Sequence, residues 1–335
     1  MKSSPWDLEE MVDSLKPWEE FHCLHPERSQ REYLARKKTD MPIVFRDRKQ
    51  PRTIEEEELW HDKLIALAEE EVRFDPEQTA LTVELDSDKP VAIAFTGDWH
   101  CGHKGTDHRA LKIHNELLAS TPGVYCVGMG DYAQNSKANS KPGAALYDSA
   151  FPNPDEQYHF AIHEMERLRG KWLGLITGCH DHWNFTAAGL RTMRDICAQL
   201  DTANLWHGAV ITVKVGEQTY QIGAKHRYGN ESNANTTNAQ RWFDSDYPTE
   251  ANLDVICLAH LHYCDLQKRP RKGVNKVWMR SGAYLVWEDY GQRLGGYRGQ
   301  PGVPIVILYP DRKQVLPFHG TDLKEALYTL RMLRA

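Results

Sequence analysis

The sequence predicts an α/β protein with a core of mixed β-sheets. Three observations carry this expectation. From Pro90 onward, short apolar runs alternate with helix-like stretches. The second half is then dominated by strand-like runs. Five of the apolar runs also end abruptly in acidic or imidazole side chains. Strand–helix alternation gives parallel pairs joined by crossovers, and consecutive strands give antiparallel pairs, so a chain with both assembles mixed sheets.

Residues 1–85 stand apart as a charged helical extension, rich in helix formers and poor in β-branched residues. Basic side chains outnumber acidic ones between Arg28 and Arg52. Thr53 followed by Glu56 makes a capping-box pattern that opens an acidic helix through about Val72, with Trp60, Leu64, Leu67 and Ala68 as its apolar stripe. The extension reads either as an arm for nucleic acid, a protein partner or self-association, or as helical cover packed on the catalytic domain. The predicted elements then run in order: strand 91–97, helix 106–120, strand 124–129, helix 155–169, strand 172–177 and helix 186–200. Strands 209–215, 218–224, 253–259, 274–280 and 303–309 follow. This gives a domain over 86–320 and a C-terminal helix over 321–335. The segment 136–154, rich in Gly, Pro, Ser and Asn, reads either as a substrate-facing lid or as a surface spacer.

Composition narrows the classes. With 335 residues, 41% of them hydrophobic and 26% charged, the chain suits a globular protein with a sizeable core. No run approaches the ~20 apolar residues of a membrane span, and the charged start is not a signal peptide, so no membrane association is expected. Seven cysteines without a CxxC pair point to free thiols in a reducing compartment, hence a cytoplasmic location. A net charge of −6 gives no general affinity for nucleic acid, although two divalent cations would offset it locally.

The chemistry lies at the ends of the apolar runs. Asp98-Trp99-His100 follows VAIAFTG, Gly130-Asp131 follows VYCVGM, and Gly178-Cys179-His180-Asp181 follows WLGLIT. His226 follows YQIGAK, and His260-Leu261-His262 follows LDVICLA. Carboxylate and imidazole donors from several strand ends are what a pair of catalytic metal ions requires, and two such ions hold a phosphate and generate a hydroxide nucleophile at neutral pH. Asp98 and His100, spaced i and i+2, emerge together. Asp131, alone after its strand and preceded by Gly130, is the natural bridging carboxylate. His260 and His262 share the i, i+2 spacing and each face one metal.

These residues resemble the motif series of the calcineurin-like metallophosphoesterase superfamily: D-x-H, GD, GNH[DE], a later His and GHxH. The resemblance covers about residues 90–320 and implies a four-layer sandwich, two mixed β-sheets flanked by helices. It also implies that one metal takes Asp98, His100, Asp131 and His262, while the other shares Asp131 and adds His226 and His260. His180 is then the catalytic residue, steadying the transition state or protonating the leaving group. Manganese is the metal expected first, with zinc or iron as alternatives. The chain departs from the pattern where Cys179 replaces the Asn and Ala259 the first Gly of GHxH. Cys179 either ligates the second metal through sulfur or does not ligate at all. Gln134 stands where the phosphatase branch has an acid three residues after the bridging Asp.

The expected function is hydrolysis of phosphodiesters, with nuclease preferred. A phosphomonoesterase acting on nucleotides or phosphoproteins is the enzymatic alternative, and an inactive scaffold retaining the fold the non-enzymatic one. Lys268-Arg269-Pro270-Arg271-Lys272, continuing to Lys276 and Arg280 without an acid, reads equally as a DNA or RNA contact and as a solvated hairpin. Tyr284, Trp287, Tyr290 and Tyr297 read as base-stacking aromatics or as side chains that pin a loop.

Overall fold

Alternation along the strands decides which layer each apolar side chain joins. In β2 (Val91–Thr96), Val91, Ile93 and Phe95 enter one core, and Ala92 and Ala94 enter another. The structure, a computed structural model, describes residues 10, 13, 16–38, 54–74, 79–135, 149–151, 153–229, 231, 235–246, 252–271, 274–288 and 299–335. Two units can be distinguished, Met1–Glu71 and Val72–Ala335.

The first unit holds α1 (Trp18–Leu24), α2 (Gln30–Lys38) and most of α3 (Ile54–Phe74). Phe21 is buried and its ring lies against those of Trp18 and Tyr33. Arg28 grips Glu10 through Nε and Nη2 at 2.7 and 2.8 Å, so this member of the basic surplus is already neutralised. The stripe residues Trp60, Leu64 and Leu67 are exposed. Residues 39–53, including Thr53 of the expected capping box, lie outside the described residues.

The second unit contains β1 (Ala80–Leu85), β2, α4 (His108–Ser120), β3 (Val124–Gly128), α5 (Pro154–Glu166), β4 (Trp172–Leu175), α6 (Cys179–Ala188) and α7 (Thr192–Leu200). Then come β5 (Gly208–Val215), β6 (Gln218–Lys225), α8 (Asn238–Asp246), β7 (Val255–Leu258), β8 (Asp265–Arg271) and β9 (Val274–Arg280). β10 (Ile305–Leu308), β11 (Val315–Phe318) and α9 (Leu323–Arg334) complete it. The strands form a six-stranded sheet in the order β1-β5-β6-β7-β9-β8 and a five-stranded sheet in the order β11-β10-β2-β3-β4. Both are mixed: β2, β3 and β4 are parallel while β10 runs against β2, and β6, β7 and β9 are parallel while β5 runs against β6.

The two sheets share a core that includes Ile93, Phe95, Val127 and Met129 from one and Ile211, Ile222, Val255 and Met279 from the other. The far face of the five-stranded sheet is covered by α4, α5, α7 and α9 through Leu111, Met165, Ile196 and Leu327. On the far face of the six-stranded sheet, Phe243 of α8 packs with Val210, Ile256 and Trp278. The fold is therefore α/β, two mixed sheets flanked by helices. The parallel strands of both sheets end at the same edge of the sandwich, which is where ligands bind in open α/β sheets.

Several elements differ from expectation. The helix expected at 186–200 is two helices, because Gly189 adopts a left-handed conformation (φ 68°) and its N–H closes α6 on Phe185. β1 falls within the expected helical extension yet pairs with β5. The basic run becomes the β8–β9 hairpin. Alternation turns Lys276, Trp278 and Arg280 of β9 to one face, where Lys276 is buried against Asp244 of α8 at 2.6 Å and Arg280 reaches Glu231 at 3.2 Å. The run forms a hairpin whose charges are only partly solvated, since the cationic patch loses two members to internal ion pairs. Lys272, Tyr290, Tyr297 and most of the segment 136–154 lie outside the described residues.

Breaking a buried ion pair from one side is strongly destabilising, whereas an exposed lysine contributes little. Lys276→Ala should lower the unfolding free energy by roughly 3–5 kcal/mol, and Lys268→Ala should change it by less than about 0.5 kcal/mol. Urea unfolding midpoints check both. Equal midpoints would show that Lys276 is not held as described.

Candidate metal centre

Five loops bring the donors together. Asp98 and His100 leave β2, Asp131 leaves β3, Cys179 opens α6 after β4, His226 follows β6, and His260 and His262 follow β7. Donor atoms of Asp98, His100 and His262 lie within 4.8 Å of one another, as do those of Cys179, His226 and His260, and those of Asp98, Asp131 and His226. His226 Nε2 is 3.2 Å from Asp131 Oδ2, His262 Nε2 is 3.7 Å from Asp98 Oδ1, and Cys179 Sγ is 3.8 Å from His260 Nδ1. Two donor groups thus flank Asp131, and all seven residues expected at the metals gather at one end of the sandwich.

The backbone is bent to achieve this. Asp98 (φ 47°), His100 (47°), Asp131 (53°), His260 (72°) and His262 (59°) all sit in the left-handed region. A non-glycine residue there costs of order 1–3 kcal/mol. Hydrogen bonds between the loops hold the strained residues. Asp98 N donates to Gly130 O, His100 N to Asp131 O, and Ala259 N to His226 O. Two positions admit only glycine. A Cβ on Gly130, itself at φ 93°, would lie 2.6 Å from Gly178 Cα, and one on Gly178 would lie 2.1 Å from Asp131 Oδ1.

The ring nitrogens are sorted by their partners. His226 Nδ1 donates to the Met129 carbonyl at 2.8 Å, so Nε2 faces the centre. His100 Nδ1 meets Gln134 Oε1 at 2.8 Å, which leaves its Nε2 only 3.2 Å from His262 Nε2. Fixing one imidazole nitrogen on a carbonyl or amide oxygen prepares the other as a metal ligand. Asp98 Oδ1 is buried and finds no hydrogen-bond partner among the described residues, and His226 Nε2, also buried, has only the Asp131 carboxylate beside it without a well-aligned hydrogen bond.

Burial governs the charges. It pushes the Asp98 carboxyl up to about 8 and drives His260 and His262 down to about 3 and about 4. At Asp131 burial is outweighed by His226, His180 and His100, which hold the carboxyl well below its usual range. At His226 burial is in turn outweighed by Asp131. The pocket therefore stabilises one carboxylate–imidazolium pair and disfavours a second carboxylate. A divalent cation would reverse that preference, since it neutralises the carboxylates and uses the imidazole lone pairs. The unpartnered Asp98 oxygen, the converging nitrogens and this charge balance fit bound divalent metal.

Two supports hold the centre. Asp181, which from its place beside His180 in the sequence reads as a local turn-stabilising acid rather than a relay, has that role. Its carboxylate, fully buried, accepts the N–H groups of Asp131 (2.7 Å), Gly178 (2.9 Å) and Tyr132 (3.3 Å), so it ties the end of β3 to the start of α6. Gln134 does more than fill an acid's place. Its backbone carbonyl accepts His180 Nδ1–H at 2.6 Å while its side chain holds His100. Trp183 stacks on the His180 ring at 4.1 Å, one helical turn onward. The D at the end of the GCHD motif was the only available signal for the first, and no sequence signal marks a carbonyl.

No family model matches the sequence, and none of the curated proteins matches it either. Among solved structures, the chain is similar to Vps29 from Entamoeba histolytica complexed with zinc, at 12% identity over 68% of this chain and 98% of that one, with a TM-score of 0.36. It is similar to a predicted phosphoesterase from Streptococcus pneumoniae TIGR4, at 11% identity over 70% and 99%, with a TM-score of 0.31. It is also similar to the calcineurin-like phosphoesterase YfkN from Bacillus subtilis, at 12% identity over 74% and 100%, with a TM-score of 0.37. At these TM-scores the likenesses carry no argument about the chemistry. The superfamily resemblance rests on the motif residues and the two mixed sheets.

Asp181→Asn keeps the size of the side chain but replaces an accepting oxygen with a donor. Supports of this kind typically contribute 10–100-fold to metal affinity. Competition with a chromophoric chelator should show a loss of that order, and an unchanged affinity would mean that Asp131 does not need the brace.

Proposed function

We propose that the protein is a dinuclear-metal-dependent phosphoesterase that cleaves phosphodiesters, with nucleic acid or a nucleotide diester as the preferred substrate class. The observation that carries the reading is the pair of donor groups on either side of Asp131. Asp98, His100 and His262 would hold one ion, His226 and His260 the other, and Asp131 would bridge them. When bound, such a pair polarises the phosphoryl oxygens and supplies a nucleophile at neutral pH.

The chain's own residues do the rest. His180 donates Nδ1–H to the Gln134 carbonyl, which leaves Nε2 for a substrate oxygen. Its ring lies 4.7 Å from that of His100, so it borders the centre without belonging to either donor group. In this position it protonates the departing oxygen or steadies charge on the phosphoryl group. Its Nδ1 is held by a neutral carbonyl where the phosphatase branch has an acid, and this favours diesters over monoesters. A cavity of about 590 Å³ begins at Cys179 and His226 and is lined further by His182, His207, Lys225, Arg227 and Tyr228. Lys225 and several imidazoles beside the centre, with Arg227 shared with Glu231 at 3.5 Å, suit a substrate with negative charge beyond the scissile phosphate. This is the support for a polyanion, now that the β8–β9 hairpin has turned Lys276 and Arg280 inward.

His180→Ala should retain both metals and lose about 10²–10⁴-fold in turnover of bis-p-nitrophenyl phosphate with added manganese, the usual contribution of a general acid. Turnover unchanged, or metals lost with activity, would reject the assignment. Faster turnover of the monoester would favour a monoesterase, and turnover of neither ester would leave a scaffold.

A further inference from the structure

We infer that the two metal positions are chemically unequal: Cys179, His226 and His260 form a thiolate-bearing position that takes zinc in preference to manganese, and Asp98, His100 and His262 form the position for the harder ion. The inference rests on the dinuclear reading above and concerns how that centre sorts its metals.

The donor geometry supports it. Bonds of about 2.3 Å to sulfur and about 2.0 Å to nitrogen set a sulfur-to-nitrogen separation of about 3.5 Å across a tetrahedral zinc site. Cys179 Sγ and His260 Nδ1 are 3.8 Å apart, and with the buried His226 Nε2, which makes no well-aligned hydrogen bond, all three donors fall within 4.8 Å of one another. Asp131 Oδ2, 3.2 Å from His226 Nε2, supplies an oxygen as fourth donor. Sulfur, two nitrogens and one oxygen make a set that zinc accepts and manganese disfavours. Across Asp131 the set holds only oxygen and nitrogen, which suits manganese. Cys179 is also fixed in place. It is the first residue of α6, directly after Gly178, whose contact with Asp131 admits no side chain. The thiol is half-buried, so it reaches the centre without being sealed off from solvent. As the sulfur–metal bond forms, the thiol proton leaves to solvent.

Cobalt(II) reads out the claim without any reference to activity. The full chain, stripped of metal and reloaded with cobalt, should bind two ions and show a near-ultraviolet sulfur-to-cobalt charge-transfer band. The band should survive Cys23→Ser and vanish in Cys179→Ser. In competition, Cys179→Asn should lower the zinc affinity of one position by at least about 10-fold and leave the other unchanged. A measurement on the unaltered protein guards against misfolded variants: zinc, more than manganese at equal occupancy, should protect Cys179 from alkylation mapped by mass spectrometry. Two bound cobalt ions with no band, a band that persists in Cys179→Ser, or full zinc occupancy without protection would overturn the inference. Diester hydrolysis without the band overturns this inference alone. The band without hydrolysis supports it and overturns the phosphoesterase reading.

Discussion

The Asp131 carboxylate meets two demands at once. Its Oδ1 accepts the His180 N–H at the start of α6, where the helix presents unsatisfied donors, and its Oδ2 faces His226. The five-stranded sheet supplies the first contact and the six-stranded sheet the second. A single side chain therefore couples the two halves of the sandwich at the edge where their parallel strands end. Asp181 secures it by holding the Asp131 N–H from the same helix. The glycines at 130 and 178 are the steric condition for that approach.

Once Asp131 is fixed, the crowding of charge around it follows. Histidines and acids that would ionise freely in water are packed into a low-dielectric space, where each ionisation works against the next. Hydrophobic packing between the sheets holds them there. Residues such as Phe95, Met129 and Ala259, which carry the ligand loops, belong to the shared core. The core thus imposes an electrostatic arrangement that a bound cation would relieve. Packing of the sandwich and the crowding of charge at its edge are two sides of the same constraint.

Much of this was legible in the sequence, and what escaped has a common cause. The strands that carry donors are buried on both faces, so they read as continuous apolar runs with an abrupt polar end. The strands not foreseen, β1, β8 and β11, all lie at sheet edges. An edge strand is half solvated, so ALTVEL and DLQKRPR read as extension and as basic tract. The charges of Lys276 and Arg280 misled for a related reason, since sequence shows that a lysine is present but not that α8 covers it. At the centre, the residue types announced which side chains would gather, and the acid beside His180 announced a turn-stabilising Asp181. The Gln134 brace did not appear, because its backbone carbonyl has no signature in the side-chain alphabet.

The left-handed backbone at the ligand positions has an evolutionary consequence. At Asp98, His100, Asp131, His260 and His262 the conformation that suits the chain best is that of glycine, and the side chain that suits the chemistry is a donor. Substitutions that relax the backbone therefore erase the clustered side chains, and at Asp98 and Asp131 they also remove carboxylates that accept the His260 and His180 N–H groups. The loops persist in their bent form only while something rewards the side chains they carry. In a lineage released from that reward, these five residues are where decay would first become visible, well before the buried strands behind them changed.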